Sequence, residues 1–161
     1  MDLSLDLPTP ADTDALGVAL ARSRPDGPLV AWLRGDLGAG KSTLARALLR
    51  ELGVQGAIRS PTYTLVERYP LPDGEAVHLD LYRIAEPGEL EFLGLEDLRA
   101  EATLWLVEWP ERGGAALPPA DLEIALGLGG PGRHARLQEN SEKGAAWLAS
   151  FSKMAASRAS V

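Results

Sequence analysis

Leu29-Val30-Ala31-Trp32-Leu33, then Gly35-Asp36-Leu37-Gly38-Ala39-Gly40-Lys41-Ser42, then Leu44, Ala45, Leu48, Leu49 and Leu52 at helical spacing decide how this chain folds. The first run is short, wholly apolar and preceded by the breaker Pro25-Asp26-Gly27-Pro28, so it reads as a strand covered on both faces, as in a parallel sheet. The last set is one apolar helical stripe, and Gly53 stands where a residue just past a helix end is favoured. The middle piece fits G-x-x-x-x-G-K-[ST] without a mismatch, in the strand–loop–helix setting that the motif requires. Its glycines let the backbone wrap an anion so that successive N–H groups point at it, and the helix behind adds its positive N-terminal end. Lys41 supplies a mobile cation for the β- and γ-phosphates, the Ser42 hydroxyl suits magnesium, and Thr43 offers a further hydroxyl to the α-phosphate by position. Gly35 to Thr43 are therefore expected to hold the phosphates of a nucleoside triphosphate with Mg2+.

Upstream of the strand, Ala15, Leu16, Ala19 and Leu20 recur at helical spacing after the candidate caps Thr9 and Thr13. Downstream, Ser60-Pro61-Thr62-Tyr63-Thr64-Leu65-Val66-Glu67 starts extended, because proline disfavours the helical region for the residue before it. Pro72-Asp73-Gly74 is a turn, and Val77, Leu79 and Leu81 then alternate with His78, Asp80 and Tyr82 at strand period. Pro87 to Ala100 reads as a helix broken near Gly94. Thr103 to Val107 reads as a buried strand that ends at Glu108 and is stopped by Pro110, with a loop from Gly113 to Pro119. Leu122–Leu126 and His134–Leu137 suggest two antiparallel strands, joined through Gly129-Gly130-Pro131-Gly132. A helix over about Gly144 to Lys153 closes the chain, with a frayed Ala/Ser-rich end. The expectation is an α/β fold: a single P-loop NTPase domain with a mixed, mostly parallel sheet flanked by helices. Residues 1–140 would carry the site, and 141–161 would add a C-terminal helix and tail to the same domain.

The composition narrows the function. A formal charge of −7 works against a broad basic face, so free nucleic acid is repelled by most of the surface. With no cysteine, thiolate metal sites and disulfides are excluded. The acidic start Met1-Asp2-Leu3-Ser4-Leu5-Asp6 lacks the cationic opening of a signal peptide, and no apolar run approaches the ~20 residues that span a bilayer. A cytoplasmic protein with no membrane association is expected.

A phosphate loop hydrolyses nothing alone. It needs an acid at the end of a neighbouring strand to serve magnesium, and a group that orients the nucleophile. Glu108 ends an apolar strand at the edge where open α/β sheets bind ligands, and Asp80 lies in the alternating strand on the face of His78 and Tyr82. Either acid can ligate the metal or orient water. Thr62 follows the loop helix in a Ser-Pro-Thr segment, where a threonine can sense the γ-phosphate. His78 reads as a strand-packing or surface residue rather than a base, Trp109 as core or a partner contact, and Arg133 and Arg136 as residues flanking a glycine-rich turn.

These segments taken together resemble the TsaE (YjeE) family, P-loop ATPases of bacterial tRNA threonylcarbamoyladenosine biosynthesis. The likeness is carried by Gly-Asp-Leu-Gly-Ala-Gly-Lys-Ser from Gly35, Ser-Pro-Thr-Tyr-Thr-Leu-Val-Glu from Ser60 and His-Leu-Asp-Leu-Tyr-Arg from His78. Glu-Leu-Glu-Phe-Leu-Gly from Glu89 and Leu-Val-Glu-Trp-Pro from Leu106 follow in the family's order. It implies that Lys41 and Ser42 act on ATP/ADP and Mg2+, that Asp80 and Glu108 serve magnesium and hydrolysis, and that Thr62 belongs to a switch-like loop. It also implies that Trp109 is functionally sensitive, that Arg133 lies near the nucleotide and that the stretch Leu7–Ala11 lies beside the base. The implied partners are TsaD and TsaB, which transfer a threonylcarbamoyl group to an adenosine beside the tRNA anticodon. The ATPase supports repeated rounds, and tRNA is reached only through those partners. Ser42 stands where many relatives carry threonine, which keeps the hydroxyl.

Two rival readings use the same loop. A small-molecule P-loop kinase would carry an arginine-bearing lid, for which Arg133 and Arg136 are the only late arginines before the tail. A guanine-reading GTPase would carry Asn-Lys-x-Asp, and the one asparagine, Asn140, is followed by serine. Arg83 is a candidate for an arginine acting in cis on the phosphates. Without such a group, hydrolysis is expected to be slow until partners assist.

Overall fold

Strand β2 (Leu29–Arg34) sits in the middle of a seven-stranded sheet, and the rest of the chain is wound around it. The computed structural model describes residues 2–61, 64–129 and 132–159. In chain order the elements are β1 (Asp2–Leu7), α1 (Pro10–Ser23), β2, α2 (Lys41–Glu51), β3 (Val66–Leu71) and β4 (Gly74–Asp80). A 3-10 stretch (Pro87–Leu93) leads into α3 (Leu95–Glu101), followed by β5 (Leu104–Glu108), β6 (Leu122–Gly129), β7 (Gly132–Glu139) and α4 (Glu142–Ala159). The sheet order is β1-β7-β6-β2-β5-β4-β3. Parallel pairing joins β6 to β2, β2 to β5 and β5 to β4, while β7 and β3 run the other way. This is an α/β fold with a mixed sheet, and its parallel centre carries the loop, as the sequence predicts.

Alternate residues of the central strands feed two cores. Leu104 and Leu106 pack with Leu44, Leu48, Leu49, Leu20 and Trp147 on the side of α1, α2 and α4. Trp105 and Val107 pack with Val77, Leu79, Leu90 and Leu98 on the side of α3. Each fully buried leucine contributes roughly 1.5–3 kcal/mol. Helix α1 starts on a capping box: Thr9 N donates to Asp12 Oδ2 at 2.8 Å. Thr13, the other candidate cap, lies inside the helix and is buried.

The structure departs from the sequence expectations in four places. The N-terminal residues form β1, antiparallel to β7; Leu3, Leu5 and Leu7 alternate with Ser4 and Asp6, a period-2 signal too short to stand alone. Val66–Leu71 form β3, which makes a hairpin with β4 across Pro72-Asp73; Pro70 is tolerated because β3 is an edge strand. The loop after Pro110 contains 3-10 turns at Pro110–Arg112 and Gly114–Ala116. Helix α4 runs past Lys153 to Ala159 and docks through Trp147, whose Nε1 donates to Leu20 O at 3.0 Å. No described helix is long and apolar enough to cross a membrane.

Candidate functional site

The loop between β2 and α2 is shaped by backbone that only glycine takes readily. Gly35, Gly38 and Gly40 have φ of +145°, +79° and +107°. A Cβ at Gly35 would lie 2.4 Å from the carbonyl oxygen of Leu126, so the loop lies tight against the carboxyl end of β6. At Gly40 it would lie 2.8 Å from Arg133 Nη1 and 3.5 Å from the Thr13 methyl, which places Arg133 and the start of α1 beside the loop. Gly132 lies against Leu7 and Pro8 in the same way, so the chain around Leu7 also reaches this edge.

Lys41 is the first residue of α2 and only 5% exposed. Its Nζ donates to the carbonyl of Gly35 and sits 3.8 Å from the centroid of the Trp109 ring. Burial pushes the Lys41 pKa below its ordinary value, and the carboxylates of Glu108 and Asp80 pull it back up. Trp109 is one of the non-glycine residues with positive φ, at +58°. That conformation costs about 1–3 kcal/mol and turns the chain at the end of β5 so that the ring lies over Lys41 and 5.0 Å from Tyr82.

Two carboxylates stand at the strand ends next to the loop. Register pairs Leu33 with Glu108 and Glu108 with Asp80, so both acids lie one strand after another at the carboxyl edge. Glu108 is 2% exposed; Ser42 Oγ lies 3.1 and 3.2 Å from its two oxygens, and His78 Nε2 lies 2.6 Å from Oε2. Asp80 accepts from Tyr82 N at 3.0 Å; burial raises its pKa, and the negative Glu108 adds to the rise. An open cavity of about 470 Å³ lies above them, lined by loop residues 37–43 with Asp80, Glu108, Trp109 and Arg133. That is within the usual size of small-molecule sites. The Ser42 hydroxyl and two carboxylates are hard oxygen donors, which fits magnesium.

Of the residues read as site candidates, the loop from Leu37 to Thr43, Asp80, Arg83, Glu108, Trp109 and Arg133 surround one cavity, while Gly35 and Asp36 are not part of its lining. Thr62 lies outside the described residues. Of the described residues that follow it, Leu65 reaches this edge, where its carbonyl oxygen accepts from Asp80 N at 3.0 Å. His78, read as a packing or surface residue, is neither exposed nor merely apolar filling: it is buried against Glu108. Its place two residues before Asp80 puts both on one face of the strand, but that alternation does not report whether the face is buried.

Strand, glycine loop and helix, with carboxylates ending the next two parallel strands, define a P-loop α/β domain. The family model described as threonylcarbamoyl adenosine biosynthesis protein TsaE matches residues 7–134, and the chain belongs to that family. The tRNA threonylcarbamoyladenosine biosynthesis protein TsaE of Haemophilus influenzae is 41% identical over 124 residues, covering 77% of this chain and 78% of that protein. The protein of the same name from Synechocystis is 43% identical over 110 residues, 66% of this chain and 69% of that one. The crystal structure of YdiB from Bacillus subtilis has the same fold, with a TM-score of 0.80 and 24% identity over 96% of both chains.

Proposed function

We propose that this chain is the ATPase component of tRNA threonylcarbamoyladenosine biosynthesis, and that it binds and slowly hydrolyses ATP with Mg2+ in company with the TsaD–TsaB transferase. The observation that carries the reading is the contact of Ser42 with Glu108 beneath the glycine loop, which brings a magnesium-type hydroxyl and a strand-end carboxylate to one point. The loop N–H groups and the α2 terminus would hold the phosphates, and Lys41 would leave the Gly35 carbonyl to reach the β- and γ-phosphates. Ser42, with Glu108 or Asp80, would hold the metal. When bound, magnesium neutralises the charge that develops on the phosphoryl oxygens. The carboxylate not engaged on the metal would orient the attacking water. Arg133, beside Gly40, would meet the nucleotide. The family membership supports the pathway, and the acidic surface agrees with a component that leaves tRNA to its partners in the cytoplasm.

The test measures nucleotide binding and phosphate release side by side. Lys41→Ala should lose both, whereas Glu108→Ala should abolish release while keeping much of the binding. Wild-type turnover should rise when TsaD and TsaB are added. Full turnover without partners, or normal turnover by Glu108→Ala, refutes the mechanism. Phosphate appearing on a small molecule instead of in water would establish the kinase reading.

A further inference from the structure

His78 stands on β4 in register with Leu106, and Asp80 with Glu108. Side chains two residues apart on a strand share a face, and neighbours in parallel register share it too, so His78, Asp80 and Glu108 lie together under the start of α2. His78 and Glu108 are each 2% exposed, and Nε2 and Oε2 are 2.6 Å apart. The other ring nitrogen, Nδ1, is buried and has no hydrogen-bond partner among the described residues. A leucine would fill this position without leaving a polar atom unpaired, so packing alone does not account for an imidazole there.

Glu108 has few anchors. Its carboxylate is held by Ser42 on one side and His78 on the other. Magnesium on a lone pair of the Ser42 hydroxyl would leave its single O–H to donate to only one Glu108 oxygen at a time. The imidazole is the second contact that keeps the carboxylate aimed at the cavity.

We infer that His78 is a positioning residue: its ring fixes the Glu108 carboxylate for magnesium and water through the Nε2–Oε2 contact. This rests on the reading of Glu108 given above. Partners that orient a metal-site ligand are typically worth about 10–100-fold in activity or metal affinity. The effect should fall on turnover and magnesium dependence, with nucleotide affinity in the absence of metal left near wild type.

The experiment compares wild type with His78→Leu and His78→Gln, each alone and combined with Glu108→Ala. It reads kcat and KM for ATP, the thermal midpoint, and the Mg2+ dependence of binding a non-hydrolysable ATP analogue. His78→Leu should lower kcat about 10–100-fold with a smaller change in KM, and should weaken the Mg2+ dependence. His78→Gln, whose amide nitrogen can occupy the place of Nε2, should retain most of both. In the Glu108→Ala background His78→Leu should have no further effect on Mg2+-dependent binding, because the residue acts through Glu108. If His78→Leu does not fold, His78→Asn replaces it; its shorter amide stops short of Glu108 and should lose what glutamine keeps. Wild-type kcat and Mg2+ dependence in His78→Leu overturn the inference. So does an undiminished further loss in the double variant. If the wild-type protein releases no phosphate from ATP, the reading of the site as an ATPase fails by itself. The His78 inference is then decided by the analogue titration, where glutamine must keep what leucine loses.

Discussion

Single residues at the carboxyl edge of the sheet show how local backbone was chosen for geometry over comfort. Trp109 takes the left-handed region, at φ +58° and ψ +50°, which a side chain resists. Replacing it should therefore separate ring from backbone. Trp109→Gly is expected to be more stable than Trp109→Ala by about 1 kcal/mol in denaturant unfolding, the reverse of the order in a regular element. Equal stabilities would mean that the strain is absent. Gly35 presents the opposite case. A Cβ there meets a backbone carbonyl at 2.4 Å at a φ of +145°, so Gly35→Ala should cost about 1–3 kcal/mol and also weaken ATP binding by displacing the loop, as read by calorimetry. The glycines and Glu108 were legible in the sequence because each follows a local rule: motif spacing for the first, the end of an apolar run for the second. His78 was not, since alternation within a strand says which residues share a face but not whether that face is wet. Here residues Ala76 to Asp80 are buried on both faces.

Elements are tied together by a few polar contacts that sequence periodicity cannot report. Arg34, the last residue of β2, donates from Nε to Glu123 on β6 at 2.7 Å, and Asn140 Nδ2 donates to the other oxygen at 2.6 Å. Burial draws the Glu123 pKa upward, and these two hydrogen bonds outweigh it, so the net shift is downward. A carboxyl group with a depressed folded value stabilises the fold above its unfolded pKa, about 4.3 for glutamate, and loses that contribution as pH falls through the folded value. Glu123→Gln should consequently lower the thermal midpoint at neutral pH and match wild type once the solution is acid enough to protonate Glu123 in the fold. A gap that persists unchanged into acid would show that the carboxylate charge is not involved. Asp121 is a similar clasp: it accepts from Val30 N at 2.8 Å and from Ser141 Oγ at 2.7 Å, joining β2 to the start of α4. Beside it Gly144 has no room for a side chain, since a Cβ would stand 1.7 Å from Asp121 O. The edge strands β1 and β3 escaped the reading for a related reason. Their pairing partners, β7 and β4, are set by non-local register, and a six-residue strand carries too little alternation to declare itself.

At the scale of the whole molecule, strand–loop–helix was readable because its signals are contiguous, whereas the order β1-β7-β6-β2-β5-β4-β3 was not, because β5 returns to a place between β2 and β4 that nothing local specifies. That insertion lets Glu108 and Asp80 end side by side next to the loop. Because β4 and β5 end at the cavity, the loop that follows β2 walls it and Arg133 of β7 lines it, a ligand bound there touches several strands of the sheet at once. Such a ligand stabilises only the folded chain, by RT ln(1 + [L]/Kd), or about 2.7 kcal/mol at a hundredfold excess over Kd. The thermal midpoint should therefore climb with the logarithm of Mg-ATP concentration, and Lys41→Ala should flatten that climb without lowering the ligand-free midpoint by a comparable amount. The formal charge of −7 sets a counterpart expectation for RNA. Phosphate attraction supplies most non-specific affinity, so transfer RNA at any moderate salt should leave the midpoint where it was until TsaD and TsaB are present. A rise with RNA alone would place an RNA-binding surface on this chain, and a midpoint indifferent to Mg-ATP would take the nucleotide out of the cavity.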